Sequence, residues 1–468
     1  MRYAFTIGII VLVFSGLRSQ YLNPNEYPLV TEPEISLKTI DHNSEGFLVT
    51  WDTVVYHFFR FDPGTTGNHT GNNAKVVMRL SYDNGATWTP LQVIYDSPFD
   101  DRNVHGGITE NGRIIVNFAE YDAFTQTQIG YYFIYSDDFG VTWNGPILVN
   151  TVAVTSGTHQ IFGNNMMGYY NIIYNHRYCE MRHSWDGINW DSIVYVWDFR
   201  FLNTQYRISE ASFAYLGNGV IIGLFRNDSG VLGENFYQVE SYDYGQTWTD
   251  LRLTNIADGL FCPSPWIFYD VEHNHVWIIA IDRRGIFLQY NHAHSLIWLY
   301  KMYPDEILGN PTEYTPFLTF QRPKPSFYRI YGYPASVKTS DGNYLVIFTE
   351  SEYRNKGEWA YLYQFKIIYQ INPPLTSATN YQTPFSMQLF PNPASEEIYL
   401  FGNVSITGQP LNIYVFNNLG QLVLSKTYTN LTDKKFYERL LVSELTSGIY
   451  RCVITIGEET KTVSFIKK

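Results

Sequence analysis

The sequence predicts an all-β protein: a six-bladed β-propeller followed by a small C-terminal β-sandwich. Three observations carry the prediction. An eight-residue frame, Ser-x-Asp-x-Gly-x-Thr-Trp, recurs through the first half of the chain. Short β-rich runs separated by turn clusters continue from about residue 30 to 375 without an amphipathic helix. The composition, 17% aromatic against 16% charged, is that of an ordered, aromatic-rich β protein.

The frame reads SYDNGATW at 81–88, SDDFGVTW at 136–143, a shortened SWDGINW at 184–190 and SYDYGQTW at 241–248. Its aspartates, Asp83, Asp138, Asp186 and Asp243, stand 55, 48 and 57 residues apart. Four copies in phase mean one supersecondary unit repeated. Within each copy the Asp carboxylate can accept nearby backbone N–H groups and the Gly tolerates φ > 0, which makes a tight turn. The runs AKVVMRL, IGYYFIY and ENFYQVE precede three of the copies, so each frame reads as the hairpin between two antiparallel strands. Sheets repeated at this period are the mark of a propeller. At that period, residues 30–375 hold six units. The last two lack the frame but keep the strands, in VWIIAI, FLQYN and IWLYKM, then YLVIFTE and YLYQFKIIY.

A chain of 468 residues has room for more than one domain. Its formal charge of −12 argues against a nucleic-acid binder working through a basic surface, yet leaves room for a few focused arginines around an anionic ligand. Cys179, Cys262 and Cys452 are too scattered for a disulfide framework or a metal site and read as buried thiols, with room for one disulfide. No cofactor is expected.

In chain order, residues 1–19 read as a signal peptide: Arg2, then the apolar run IGIIVLVF, too short to span a bilayer, then SGLRS before Gln20. The propeller is expected over 20–370 and a Pro/Ser/Thr-rich linker over 371–386. From 387 to 468, alternating strands joined by Asn-Leu-Gly and Ser-Gly-Ile-Tyr turns suit a compact sandwich.

This last module resembles the C-terminal sorting domain of the type IX secretion system, through Pro391 to Ala394, the strand pair from Tyr414 to Val423, Gly448 to Tyr450, and the basic end Lys467–Lys468. The resemblance implies a Bacteroidota-type source, the secretion machinery as a partner, and a secreted or surface-attached product. A carbohydrate-binding sandwich is the other reading of the module.

The repeated frame resembles the Asp-box of the sialidase superfamily, whose boxes lie on the outer rim and are structural. Further stretches extend the likeness. RISEASFAYLGNGVIIGLFRND places Glu210 at the start of one strand and Arg226 at the end of the next. YGYPASVKTSDGNYLVIFTE places Tyr333 at the position of the family's nucleophile, with Pro334 where Ser is usual. Arg60 ends the strand of VVYHFFRFDPG; Arg102 and His105 fall in DDRNVHGG, His159 in TSGTHQ, and Arg283 or Arg284 in IAIDRRG. The resemblance implies Tyr333 as nucleophile with Glu210 as its base, and Arg60, Arg102, Arg226 and Arg283 as anion ligands, with His105 and His159 facing the pocket. Two departures stand beside it. The stretch expected to hold Phe/Tyr-Arg-Ile-Pro reads EISLKTIDHNSEG, with Lys38 and no Arg; the loop expected to hold the general-acid Asp reads FDPGTTGNHTGNNAK, which offers Asp62 and His69.

The residue types fit the chemistry. A sialoside carries a carboxylate on its anomeric carbon, which repels a carboxylate nucleophile but not a neutral tyrosine; the tyrosine then needs a base. Guanidinium groups hold a substrate carboxylate by paired bonds, and a general acid must protonate the leaving oxygen. The expected function is exo-hydrolysis of terminal sialic acid from glycans. The alternatives are a hydrolase or lyase of uronate polysaccharide, with His and Tyr moving protons, and a non-catalytic glycan-binding propeller. A bound Ca²⁺ has no support in the residues.

Overall fold

The computed structural model describes residues 28–63, 70–109, 111–150, 155–162, 166–173, 178–184, 186–190, 193–200, 208–227, 235–256, 265–282, 296–321, 329–352, 360–369, 386–390, 394–404, 407–418, 420–428, 435–457 and 459–468. The expected signal peptide and most of the expected linker lie outside them, as do His69, Arg283, Arg284 and Cys262.

The described chain is almost wholly β. Strands β1 (Leu29–Val30) and β2 (Glu34–Leu37) come first. The first unit is β3 (His42–Trp51), β4 (Val54–Asp62), β5 (Lys75–Ser81) and β6 (Gln92–Tyr95). The second is β7 (Asp100–Ile108), β8 (Ile114–Asp122), β9 (Thr127–Ser136) and β10 (Asn144–Asn150); the third is β11 (Thr155–Phe162), β12 (Met166–Ile173), β13 (Tyr178–Ser184) and β14 (Val194–Asp198). The fourth is β15 (Ile208–Gly217), β16 (Val220–Asn227), β17 (Tyr237–Ser241) and β18 (Arg252–Leu253). The fifth is β19 (Trp266–Asp270), β20 (His275–Asp282) and β21 (Leu296–Met302), then the helical turn α1 (Pro304–Ile307) and β22 (Pro316–Gln321). The sixth is β23 (Arg329–Lys338), β24 (Tyr344–Glu352) and β25 (Ala360–Ile368). Within each unit the strands pair antiparallel in chain order. The sixth is completed from the other end of the chain, by β1 and β2 pairing with β25.

No sheet among the described residues closes on itself by hydrogen bonds; the order returns on itself through packing. Phe47 and Phe58 of the first unit share a buried cluster with Val116 and Phe118 of the second. Ala119 and Tyr131 of the second meet Tyr178 of the third, and Cys179 and Met181 of the third pack with Phe213 and Phe225 of the fourth. Leu224 packs with Ile278, Trp277 with Val346 and Phe365, and Leu345 and Ile347 of the sixth unit with Val55 and Phe59 of the first. Strands such as β4, β8 and β16 are buried on both faces, which is why their runs read as nearly continuous apolar stretches.

One cation fastens the N-terminal strand. Arg79, almost wholly buried, donates to the carbonyl and hydroxyl of Ser36 at 3.0 and 2.7 Å and to His57 Nδ1 at 3.1 Å, and lies 4.2 Å from the centre of the Trp88 ring. Burial pulls its pKa down to about 9.

The repeated frames form one turn four times. In the first, Ser81 Oγ donates to Asp83 Oδ1 at 2.8 Å and accepts the Gly85 N–H at 2.8 Å, while Thr87 donates its N–H and hydroxyl to the two Asp83 oxygens at 2.8 and 2.6 Å. Asp138 and Asp243 repeat this pattern. In the shortened copy Asn189 replaces Thr, and its amide reaches Asp186 Oδ2 at 2.7 Å. Gly85, Gly140, Gly187 and Gly245 all have positive φ, between 73° and 87°.

The C-terminal module contains β26 (Ser386–Phe390), β27 (Glu397–Asn403), β28 (Leu411–Phe416), β29 (Leu422–Tyr428), β30 (Lys435–Leu441), β31 (Gly448–Ile456) and β32 (Glu459–Lys467). Sheets β26-β27-β30 and β29-β28-β31-β32 enclose one core, built from alternate residues such as Leu411, Ile413 and Val415 on β28 and Tyr450, Cys452 and Ile454 on β31. Cys179 and Cys452 are free and buried.

Candidate functional site

Four of the six leading strands carry a β-bulge at the same end. On β3, Ser44 pairs with Arg60 and Gly46 with Phe59, so Glu45 is extra. On β7, Arg102 pairs with Ala119 and His105 with Asn117, leaving Asn103 and Val104 opposite one residue. On β15, Glu210 is extra between Ser209 and Ala211. On β23, Tyr333 and Pro334 stand between the pairs Gly332–Thr349 and Ala335–Ile347. Bulges re-aim side chains and cluster beside active sites. Glu45, Asn103 and Tyr333 have φ of 50°, 55° and 50°, a conformation that costs a non-glycine residue about 1–3 kcal/mol and persists only where its surroundings impose it. The Asp turns lie at the opposite end of these sheets: Ser81 pairs with Val55, Ser136 with Ile114 and Ser241 with Ile221.

The bulged end gathers a chain of charges. Arg60 is 0% exposed and donates from Nε to Asp100 Oδ1 at 2.8 Å and from Nη2 to Asp62 Oδ2 at 3.4 Å, with Nη1 3.2 Å from His42 Nδ1. Asp100 also accepts the Gly71 N–H at 3.1 Å and lies 3.5 Å from Arg102 Nη1. Arg102 Nη2 is 3.6 Å from Glu45 Oε1, and the other Glu45 oxygen accepts the Asn103 N–H at 2.6 Å. The Asn103 amide donates to the Tyr131 hydroxyl at 3.0 Å. Farther round, Arg226 Nη1 donates to Glu210 Oε2 at 2.8 Å.

Electrostatics tie these groups to His105 and Tyr333. Burial draws the Arg102 pKa down, but Glu45, Asp100 and then Tyr333 together raise it above the usual arginine value. Burial lowers the His105 pKa below 6.5, and Glu45 and Glu210 push it partly back. His105 therefore lies within the fields of two carboxylates on different strands, and Tyr333 lies in the field of Arg102.

The sequence-derived candidates divide accordingly. Glu210, Arg226, Arg102, His105 and Tyr333 fall at the bulged end, and all are partly exposed. Arg60 and Asp62 require correction. Arg60, at 0% exposed against 16% for Arg102 and 27% for Arg226, is shut behind Asp100 and cannot reach a ligand. Asp62, 3% exposed, is held by Arg60 and packed beside Gly71, so it braces the loop rather than facing an open space. His159 lies on β11 opposite Gly168. His69 and Arg283 lie outside the described residues. Among the described residues no group of three or more His, Cys, Asp or Glu could hold a metal.

Glu45, Asp100 and His42 were missed by the sequence reading. A signal for Glu45 was present: Ser-Glu-Gly at 44–46 precedes Phe59-Arg60 much as Ser-Glu-Ala at 209–211 precedes Phe225-Arg226. The two bulges are copies of one device, yet Glu210 holds the arginine of its own sheet while Glu45 reaches across to Arg102.

Residues 388–468 match the family described as "Secretion system C-terminal sorting domain", so the chain ends in a type IX sorting domain and its product is secreted or carried on the cell surface. No curated protein matches the chain in sequence. Solved structures match in fold. A protein of unknown function from Dyadobacter fermentans is 14% identical over 73% of this chain and 99% of that one, with a TM-score of 0.57. The intramolecular trans-sialidase from Ruminococcus gnavus is 12% identical over 71% of this chain and 96% of its own, with a TM-score of 0.51. The NanB sialidase from Streptococcus pneumoniae is 12% identical over 74% and 71%, with a TM-score of 0.50. The chain thus joins a sialidase-like fold to a type IX sorting domain.

Proposed function

We propose that the six sheets are the blades of a six-bladed propeller, that the C-terminal module is a β-sandwich, and that the bulged end is the active site of a secreted, sialidase-like exo-glycosidase. One observation carries the proposal. Tyr333, a bulky residue at φ 50°, is presented by its bulge at the end where Glu45, Arg102 and the Glu210–Arg226 pair also sit. Glu210 takes the Tyr333 proton as the phenolic oxygen attacks the anomeric carbon; water then displaces the tyrosine. Arg102 and Arg226 stand at the opening, where they attract an acidic sugar.

The charge inventory supports a second reading of the substrate beside the acidic sugar. Arg60, Arg102 and Arg226 are each already engaged by a protein carboxylate, which leaves less guanidinium free for a substrate carboxylate and suits a neutral terminal sugar. The test is hydrolysis of 4-methylumbelliferyl α-sialoside and a panel of neutral 4-methylumbelliferyl glycosides by the full chain, beside Tyr333→Phe. Turnover that the variant lacks supports the glycosidase, and the sugar cleaved selects between the substrates. Retention of sialoglycan or uronate polysaccharide without hydrolysis would point to a binding propeller, and an unsaturated, ultraviolet-absorbing end would point to a lyase.

A further inference from the structure

We infer that His105 is the residue that exchanges a proton with the glycosidic oxygen in this site, and that Glu45 positions it. The inference rests on the glycosidase reading above and supplies the general acid that reading lacks.

Elimination among the described residues leads to His105. Of the carboxylates at the bulged end, Glu45 is bound by Arg102, Glu210 by Arg226, and Asp62 and Asp100 by Arg60, while Asp101, Glu120 and Glu350 are buried. A carboxylate so held is stabilised as an acceptor. Arginine does not give up its proton, and Tyr333 is assigned to attack. His42 is buried against Arg60, which leaves His105, partly exposed at the same end; histidine exchanges protons near neutrality.

Its placement follows from the bulges. His105 closes the bulge on β7 and lies opposite the uncharged Asn117 in register. The adjacent strand β3 turns Glu45 toward β7, where the carboxylate takes the Asn103 N–H two residues before His105. Gly106, the next residue, lets the strands approach: a Cβ there would come 2.1 Å from the Ile115 carbonyl and 2.4 Å from the Phe47 ring. The charges that act on the imidazole are Glu45 from β3 and Glu210 from β15; Arg102, on its own strand, faces Glu45 and Asp100 and lies in the fields of Tyr131 from β9 and Tyr333 from β23. Glu45 and Glu210, the two copies of one bulge, flank it with negative charge.

In the first step the imidazolium N–H passes its proton to the glycosidic oxygen. The bond from that oxygen to the anomeric carbon breaks, the Tyr333 oxygen bonds to the carbon, and the tyrosine proton passes to Glu210. In the second, neutral His105 takes a proton from water, whose oxygen displaces Tyr333, and Glu210 returns its proton to the phenolate. Atoms and charge balance over the cycle, and no further reactant is needed.

The test compares leaving groups. His105→Asn in the full chain is assayed on sialyllactose, whose sugar leaving group needs a proton, and on 4-nitrophenyl α-sialoside, whose aryl oxide does not. The expected result is a loss of about 10²–10⁴-fold in kcat/KM on the first and about tenfold or less on the second. Because both are measured on one variant, partial misfolding cancels from the ratio. Equal losses on both substrates would overturn the assignment. If the wild-type chain cleaves neither substrate while the assay detects a control sialidase, the sialoside reading fails and this assignment falls with it. Glu45 has its own readout. The alkaline limb of wild-type kcat/KM reports loss of the His105 proton and should lie below pH 6.5. Glu45→Gln removes a negative charge that favours imidazolium, so the limb moves to lower pH. A loss of activity with the limb unmoved would show Glu45 to be structural only.

Discussion

The Glu45 carboxylate accepts the Asn103 backbone N–H at 2.6 Å, and both residues have positive φ within their own bulges. Two neighbouring sheets are thus joined through the irregular residue of each. The bond explains how Glu45 keeps a conformation that an isolated strand would abandon: the same carboxylate also faces Arg102 at 3.6 Å. Glu45→Ala removes both partners at once and should lower stability by about 1–3 kcal/mol, the cost of leaving a buried donor without its acceptor. Glu45→Gln keeps an oxygen for the N–H and should lose less. Urea unfolding midpoints of the two variants check this ordering.

Gly106 should tolerate no side chain. A methyl group on its Cα would come 2.1 Å from the Ile115 carbonyl, and that clash is with backbone, which a rotamer change cannot relieve. Gly106→Ala should destabilise by about 1–3 kcal/mol, and kcat/KM should fall as well, because His105 is the adjacent residue. A variant with the wild-type unfolding midpoint would show that the two strands stand farther apart at this point.

The Asp turns should matter for stability and not for catalysis. Ser81 is wholly buried, and its hydroxyl supplies the acceptor for the Gly85 N–H. Ser81→Ala should cost about 1–3 kcal/mol through that unsatisfied donor. Since the turn lies at the end of the sheet away from the bulges, kcat/KM measured well below the melting temperature should stay at the wild-type value.

Asp101 makes stability depend on pH. Its side chain is buried, and burial raises its pKa to about 7; hydrogen bonds from Ser97 oppose the rise, and Glu120 and Asp96 add to it. An acid whose folded pKa is raised keeps its proton where the unfolded chain has lost it. Its contribution is therefore full below about pH 4 and is lost as pH climbs toward about 7. Asp101→Asn should flatten the decline across that window, as seen in unfolding midpoints taken at pH 4, 5.5 and 7.

The Asp turns were readable because their bonds run between residues two to four apart, from Ser81 to Asp83 and from Asp83 to Thr87. A pattern that closes on itself within eight residues carries its own geometry. The sorting domain was readable for a similar reason: its alternation on β28 and β31 and its turns are local, and the family match covers the same stretch. Arg60 was misjudged because its environment is not local. Its partner Asp100 is 40 residues away, in the next sheet, and nothing in VVYHFFRFDPG distinguishes an arginine that meets a ligand from one buried against a neighbour's carboxylate.

By itself, then, the sequence determined the repeating unit, the all-β class and the export module, since strand periodicity and turn chemistry act over a few residues. Packing between sheets decided which charges pair with one another at the bulged end. Glu45 and Glu210 occupy equivalent bulges in equivalent sequences, yet one crosses to Arg102 and the other keeps Arg226. Arg60 itself is held by Asp100, 40 residues away in the chain and brought within 2.8 Å only by folding.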